Sequence, residues 1–536
     1  MLPSKFFNNS GPVNSRDHFC VPPIRRLDAR KIWQLILQKK YFLIRGPKQC
    51  GKTSFLLSLA EMINRDGKVK CLYMNVESLR GVQEDVSECI RSILFEISSR
   101  ARDTFDDEYL EDLVPEILSK RGPYQAFNEF LTQWSKRSDR PIVLFIDEID
   151  TLDSTVLTPI LSQIRAGYDK RPAYFPQSIV FCATHDVIDK QFNIKDATLQ
   201  IGFFHREEVN AMFTSYAEDN GLKLTHDALD RVWYYTSGQP WIVSSLAEEI
   251  FSVIVPAKKI TRIMSRPVDE AFQNLLARQG NHLEFLTTKL RDERVKRALM
   301  PILTGGLLAD QVSDIDLNYT RELGILSQSR NNFDNMLYTE VLPRALYAPV
   351  TYMINLSTER FLLPDQSIDT IKLIKSFQLF FRNHIDRLVE RIDYGPAAYT
   401  LVFQALLQKL EDGTCTVTRD FSAERGFTHI SINWRYPRDQ AASFLVKLVR
   451  IQSLERYKQM VPGLAETCDN WKTASLEVPE IGPVSPEEAS PPPEIEACDA
   501  DVHVIAININ PKFQWEDKLP CDKKNVNGKT VHVWGF

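Results

Sequence analysis

The chain lacks any apolar run approaching the ~18 residues that a membrane-crossing helix needs, so no membrane contact is expected. It also lacks a signal-like start, because Met1-Leu2-Pro3-Ser4-Lys5-Phe6-Phe7-Asn8-Asn9 contains no apolar h-region. Cysteine is sparse: nine in 536 residues, scattered, with no C-x-x-C pair. That pattern argues against a zinc site and for a reducing, intracellular setting, cytoplasm or nucleus. An excess of positive charge is missing too, since 65 Lys and Arg stand against 70 Asp and Glu for a net charge of −5. No overall electrostatic pull toward nucleic acid follows, although a local basic patch is compatible with this balance. With 43% hydrophobic and 25% charged residues the composition is that of an ordinary globular chain. Its length suggests three or four domains.

What is present centres on Gly46-Pro47-Lys48-Gln49-Cys50-Gly51-Lys52-Thr53, which reads G-x-x-x-x-G-K-T. The apolar run Tyr41 to Ile44 precedes it, and the apolar-periodic stretch Ser54 to Ala60 follows. A strand, a glycine-rich loop and a helix in that order form a phosphate-binding P-loop. Gly46 to Ser54 are the expected nucleotide-binding stretch, and backbone N–H groups of the loop and the helix N-terminus face the phosphates. Lys52 reaches their β- and γ-oxygens, and the Thr53 hydroxyl ligates Mg²⁺. The two glycines let the backbone approach the ligand without a Cβ in the way. Cys50 is either a tolerated variable position or a thiol acidified by the helix N-terminus and open to oxidation.

Pro141-Ile142-Val143-Leu144-Phe145-Ile146-Asp147-Glu148 is a second signal. A continuous apolar run suits a central parallel strand buried on both faces, and ligands bind beyond the carboxyl ends of such strands. Asp147 would hold Mg²⁺, directly or through water, and Glu148 would orient the attacking water. The gap of about ninety residues after the P-loop leaves room for another strand and its helices. A third run, Ser178 to Thr184, ends at Thr184 and His185. Either is a sensor of the γ-phosphate or an ordinary strand-end residue. Ser237-Gly238-Gln239-Pro240-Trp241 reads as a turn between helices. Gly238 and Pro240 there form either a rigid turn on the base side of the nucleotide or a plain helix-breaking loop.

These marks divide the chain into segments. Residues 1–29 are an extended lead-in, in which His18 to Pro23 either covers a nucleobase or runs over the surface. Residues 30–202 form an α/β core, a parallel sheet between helices, and 203–280 a helical lid. Residues 281–350 suit a winged helix, with a helix from Asp316 running into a strand pair that includes Asn335 to Tyr338. Winged helices serve DNA or protein contacts alike. Residues 351–393 are an amphipathic connector whose Phe stripe suits a core. Residues 394–536 suit a smaller α/β domain. Its insertion, 477–501, is rich in Pro and Glu and too poor in apolar residues to fold.

Taken together, the segments resemble prokaryotic-type AAA-like P-loop ATPases near the STAND and origin-recognition branches. The resemblance rests on His18 to Pro23, the P-loop, Asp147-Glu148, and Arg165-Ala166-Gly167-Tyr168 with Arg171-Pro172 and Phe175 to Ser178. It extends through Phe192 to Lys195, Gly238 to Trp241 and the terminal Val531-His532-Val533-Trp534-Gly535, nearly the whole chain. It implies ATP and Mg²⁺ as ligands, hydrolysis by Glu148 and Lys52, and a DNA or protein partner. A homo-oligomer in which Arg165 or Arg171 reaches a neighbour's γ-phosphate is also compatible with it. His185 departs from the arginine usual before Asp186, which puts sensor behaviour in question. The last domain of such proteins is similar to PD-(D/E)XK nucleases. Here the positions of its acids fall at His429, Leu445 and Pro396, and only Lys447 remains. One lysine cannot bind Mg²⁺, so an inactive, degenerate nuclease-like fold is expected.

Overall fold

Four- to six-residue apolar runs build the first sheet: β1 (Phe42–Arg45), β2 (Lys70–Asn75), β3 (Ile142–Asp147), β4 (Ser178–Ala183) and the short β5 (Thr198–Gln200). These come from a computed structural model that describes residues 5–81, 85–184, 197–278, 286–304, 312–328, 332–354, 358–365, 368–411, 415–422, 427–434, 440–449, 501–508, 522–526 and 529–536. The chain divides into two units, Met1–Phe272 with Glu322–Gly324, and Gln273–Arg321 with Ile325–Phe536.

In the first unit the strand order is β2-β3-β4-β1-β5, and every neighbouring pair is parallel. All six residues of β3 are buried, as a strand covered on both faces must be. Alternation sorts them. Val143 and Phe145 pack with α1 (Ala29–Leu37) and α2 (Lys52–Asp66). Leu144 and Ile146 pack with α3 (Val86–Phe105), α4 (Tyr109–Arg121), α5 (Pro123–Arg137) and α6 (Ser154–Ala166). The period of two along a strand produces this division without any other instruction. Helices α7 (Arg206–Asp219), α8 (His226–Thr236) and α9 (Pro240–Glu248) follow the sheet. A two-strand ladder of β6 (Lys223–Leu224) and β7 (Arg262–Ile263) accompanies them.

By length and composition the helical stretch Pro240–Lys258 passes as apolar enough to cross a membrane, although Glu248 and Glu249 interrupt its apolar run. Its apolar window is 67% buried inside the protein, the pattern of a core helix. The segment from Arg165 to Ser178 works as a staple at the N-terminal ends of β1 and β4. A Cβ on Gly167 would lie 2.3 Å from the Phe175 ring, so only glycine fits that contact. The Arg171 guanidinium lies 3.5 Å from the Tyr168 ring centre and 4.6 Å from that of Tyr41.

The second unit carries a six-stranded sheet, β12-β13-β11-β10-β9-β8. Its strands are β8 (Cys415–Ser422), β9 (Phe427–Trp434), β10 (Gln440–Val449), β11 (Asp501–Asn508), β12 (Asp522–Val526) and β13 (Lys529–Gly535). β10 pairs with β11 in parallel, so the chain on either side of 450–500 belongs to one sheet. The proline-rich segment 477–500 and the Phe192 to Lys195 motif lie outside the described residues. So does His185. His429 and Leu445 stand directly opposite each other across β9 and β10. The helices are α10 (Glu293–Thr304), α11 (Asp314–Glu322), α12 (Met336–Thr351), α13 (Thr370–Val389) and α14 (Ala397–Gln408). The Phe stripe of α13 is core, because Phe377 and Phe381 are buried and meet Phe403 and Phe536 edge-on.

One expectation fails here. Asn335 to Tyr338 is not a strand of a wing. The Asn335 side chain accepts the Tyr338 N–H at 2.9 Å and so caps α12. Between α11 and α12 only an isolated bridge, Leu326 with Phe333, remains among the described residues.

Helix α12 also holds β8 by charge. The Arg419 guanidinium, 0% exposed, donates to Glu340 at 2.6 Å, while Arg344 bonds both Glu340 and Glu411. Burial works against the charge of Arg419, but Tyr347, Glu340 and Glu411 outweigh it and raise its pKa. Removing one partner of a buried pair strands the other charge. Glu340→Ala is therefore expected to lower the stability of the second unit by about 3 kcal/mol. Adding Arg419→Met to it should recover most of that loss in urea unfolding. Equal midpoints for wild type and Glu340→Ala would show the pair to be neutral.

Candidate nucleotide site

The loop after β1 owes its shape to two different glycine requirements. Gly51 sits at φ +95° and Gln49 at +60°, in the left-handed region. Gly46 is needed for packing, since a Cβ there would lie 2.4 Å from the Ile201 carbonyl and 2.8 Å from the Cys50 sulfur. Its role is thus contact with the protein, which corrects the idea that both glycines serve ligand approach. Helix α2 starts at once after Gly51, with no side-chain cap on its first N–H groups. Such an end presents free donors and the positive pole of the helix dipole to an anion.

Lys52, 4% exposed, turns its ammonium onto the carbonyls of Gly46 at 3.0 Å and Pro47 at 3.1 Å. Burial disfavours its charge, yet Cys50, Cys182, Glu148 and Asp150 together raise its pKa above the ordinary lysine value. The Thr53 hydroxyl donates to Asp147 Oδ2 at 2.7 Å, and the Tyr73 hydroxyl donates to the same oxygen at 3.0 Å. Asp147 is completely buried and also accepts the Glu148 N–H at 3.0 Å. Glu148 lies at φ +57°, uncommon for a residue with a side chain, and lines the cavity above the P-loop. Burial raises its pKa, Lys52 opposes this, and Asp150, Asp147 and Glu77 add to it. A hydroxyl beside a carboxylate is an all-oxygen donor set, which suits the hard cation Mg²⁺.

A cavity of about 560 Å³ joins these groups. Lys48, Gln49, Gly51, Lys52, Thr53 and Ser54 line it, and so do Glu148 and Pro240. Gly46, Pro47, Cys50, Asp147, Thr184 and Gly238 are not among the residues that line it. Gly238, at φ +76°, cannot carry a Cβ, which would meet the Phe204 carbonyl at 2.2 Å. The Thr184 N–H donates to Asp150 Oδ2 at 2.8 Å at the end of β4, between the ends of β1 and β3. The lead-in reaches the site: the Val13 N–H donates to the Ser54 hydroxyl at 3.0 Å, and Val13, Val21 and Pro23 line the cavity.

Neither expected finger arginine belongs to this chain's own cavity. Arg165 is exposed near the end of α6. Arg171 bonds the carbonyls of Tyr168, Lys39 and Gln177 at the opposite end of the strands, so its guanidinium is committed to its own fold. Sequence reasoning missed four contributors. Arg26 donates to the Cys50 carbonyl at 3.0 Å, and Tyr73, Asp150 and Arg100 act from β2, the turn after β3 and α3. Tyr73 alone was open to detection, as the residue that strand alternation turns toward α2.

The sheet, the loop and the two acids define a P-loop NTPase domain. Residues 30–246 match the family described as an ATPase domain predominantly from Archaea. No curated protein matches the chain. Among solved structures, a Walker-type ATPase of Pyrococcus abyssi shares 14% identity at a TM-score of 0.46, over 63% of this chain and 99% of the other. The RuvB Holliday junction branch migration motor of Thermotoga maritima shares 16% at 0.29, over 49% and 75%. Cdc6p from Pyrobaculum aerophilum shares 14% at 0.33, over 55% and 85%.

Cys50 is fully buried, and burial raises its thiol pKa despite Lys52 and Arg26. Burial thus reverses the acidification expected at a helix N-terminus, and a neutral, enclosed thiol reacts slowly. In the native chain, maleimide should modify partly exposed Cys20 well before Cys50, as read by peptide mass spectrometry. Labelling of Cys50 at the rate of Cys20 would show that the loop opens.

Proposed function

We propose that the chain is an ATP-binding and ATP-hydrolysing AAA-like protein that works as a nucleotide-dependent switch or motor. The observation that carries this is the 2.7 Å bond from Thr53 to Asp147, with Lys52 and Glu148 at the same cavity. Mg²⁺ held by Thr53 and Asp147, directly or through water, supplies charge neutralisation on the β- and γ-phosphates. Lys52 holds the phosphates by its ammonium. Backbone N–H groups of the loop and helix start, between Lys48 and Ser54, bind their remaining oxygens. Glu148, outside the strand and half-buried, orients a water and accepts its proton, and the raised pKa makes it a better base than a solvated carboxylate. Thr184 senses the γ-phosphate at the end of β4. Gly238 and Pro240 set the base side.

In this reading the second unit grips a partner, DNA or protein. It is nuclease-like without nuclease activity, because His429, Leu445 and Pro396 offer no carboxylate for a metal. The alternative is a binding module in which nucleotide is only structural.

Glu148→Gln separates the two. The switch reading expects phosphate release to fall by about 100-fold or more with ATP binding kept, in line with the loss of a general base. An unchanged rate would sink it. Lys52→Ala should abolish the ATP-dependent rise in melting temperature, which follows RT ln(1 + [L]/Kd). Glu148 works deprotonated, so activity should fall with decreasing pH through its raised pKa, above the ~4.3 of a free glutamate. Asp150→Asn removes a neighbouring negative charge and should move that acidic limb to lower pH. A limb that stays or moves upward would assign it to another group.

A further inference from the structure

An arginine of the chain's own lies at the site. Arg100, on α3, lines the same cavity as Lys52, Thr53 and Glu148. Its guanidinium carbon stands 5.1 Å from the centre of the Tyr73 ring, and the Tyr73 hydroxyl holds Asp147. Its Nε bonds Glu96, one turn earlier on α3, which holds the stem. The other cavity cations have their own partners or tasks, Lys52 being the phosphate lysine of the reading above. Arg26 donates to the Cys50 and Gly202 carbonyls, and Lys48 lies 4.0 Å from Glu77. Lys52 meets the Gly46 and Pro47 carbonyls of the loop.

Charge on the transferred phosphoryl group must be neutralised as the bond to the leaving oxygen breaks. P-loop enzymes take this charge from an arginine, either on a second molecule or within the same chain. We propose that Arg100 is that arginine here, acting in cis: the planar, permanently charged fork meets γ-phosphate oxygens in the transition state. Tyr73 serves as its platform and couples it to the Thr53 and Asp147 end of the cavity. This rests on the ATPase reading above, and it makes hydrolysis independent of a neighbouring subunit.

The test uses the full chain, with phosphate release measured across a range of protein concentrations. Binding of a fluorescent ADP is measured with and without aluminium fluoride, which completes a mimic of the phosphoryl transition state. Arg100→Ala should lower the rate by about 100-fold or more. It should keep ADP affinity within about 3-fold, because ground-state binding does not use Arg100. It should lose the tightening produced by aluminium fluoride. Arg100→Lys should restore little, since a point charge lacks the fork. The rate per molecule of wild type should not rise with protein concentration.

An Arg100→Ala chain that hydrolyses at the wild-type rate and still tightens would overturn the assignment and leave the ATPase reading intact. So would a rate that rises with concentration and falls in Arg165→Ala instead. A parallel loss of ADP affinity would make Arg100 a structural residue. A wild type that neither hydrolyses nor tightens with aluminium fluoride would remove the ATPase reading, and this one with it.

Discussion

The bond between Thr53 and the fully buried carboxylate of Asp147 joins two residues 94 positions apart. The rest of the site depends on it. It spans from the start of α2 to the end of β3, across β4, and so needs the sheet order β2-β3-β4-β1-β5. A buried carboxylate must have its oxygens satisfied, because an isolated charge in a low-dielectric interior is costly. Here Thr53, Tyr73 and the Glu148 N–H satisfy it. The same bonds hold Glu148 out of the strand, with its side chain at the cavity. A satisfied core and a placed catalytic candidate are therefore one arrangement.

Around that centre the chain distributes its cations by task. Lys52 and Arg26 shape the loop through its carbonyls, and Arg171 staples the far ends of the strands between two tyrosine rings. Arg419 spends its charge inside the second unit against Glu340. Motifs that look like functional signatures in the sequence serve folding in several of these places. The Arg165 to Ser178 segment is the clearest case, because Gly167 is required by Phe175 and Arg171 by three carbonyls.

Much of the first unit was legible because its strands are continuous apolar runs whose only stable home is a doubly covered parallel sheet. The P-loop was legible because its glycines, lysine and threonine have fixed spacing. The winged strand pair was misread. Asn335 to Tyr338 has residues that suit a strand, and the deciding bond, Asn335 to the Tyr338 N–H, is a capping choice that competes closely with extension. The sequence left Cys50 open between a tolerated variable position and a thiol acidified by the helix end, and burial raises its thiol pKa against the second. Pro240–Lys258 is no continuous apolar run, since Glu248 and Glu249 interrupt it, and its apolar window is largely buried inside the protein.

By itself the sequence determined the strands of the first unit in their order, the P-loop and the pair of acids, since these are local patterns in spacing and hydrophobic period. Only the tertiary structure decided which distant groups share the cavity. Arg100 and Tyr73 carry no motif, and they come together because β2 is the edge strand of its sheet, where an arginine on α3 reaches the ring of Tyr73 on the other face. Contacts between residues far apart in the chain depend on how sheet order and helix packing close in space, and no short stretch of sequence encodes that alone.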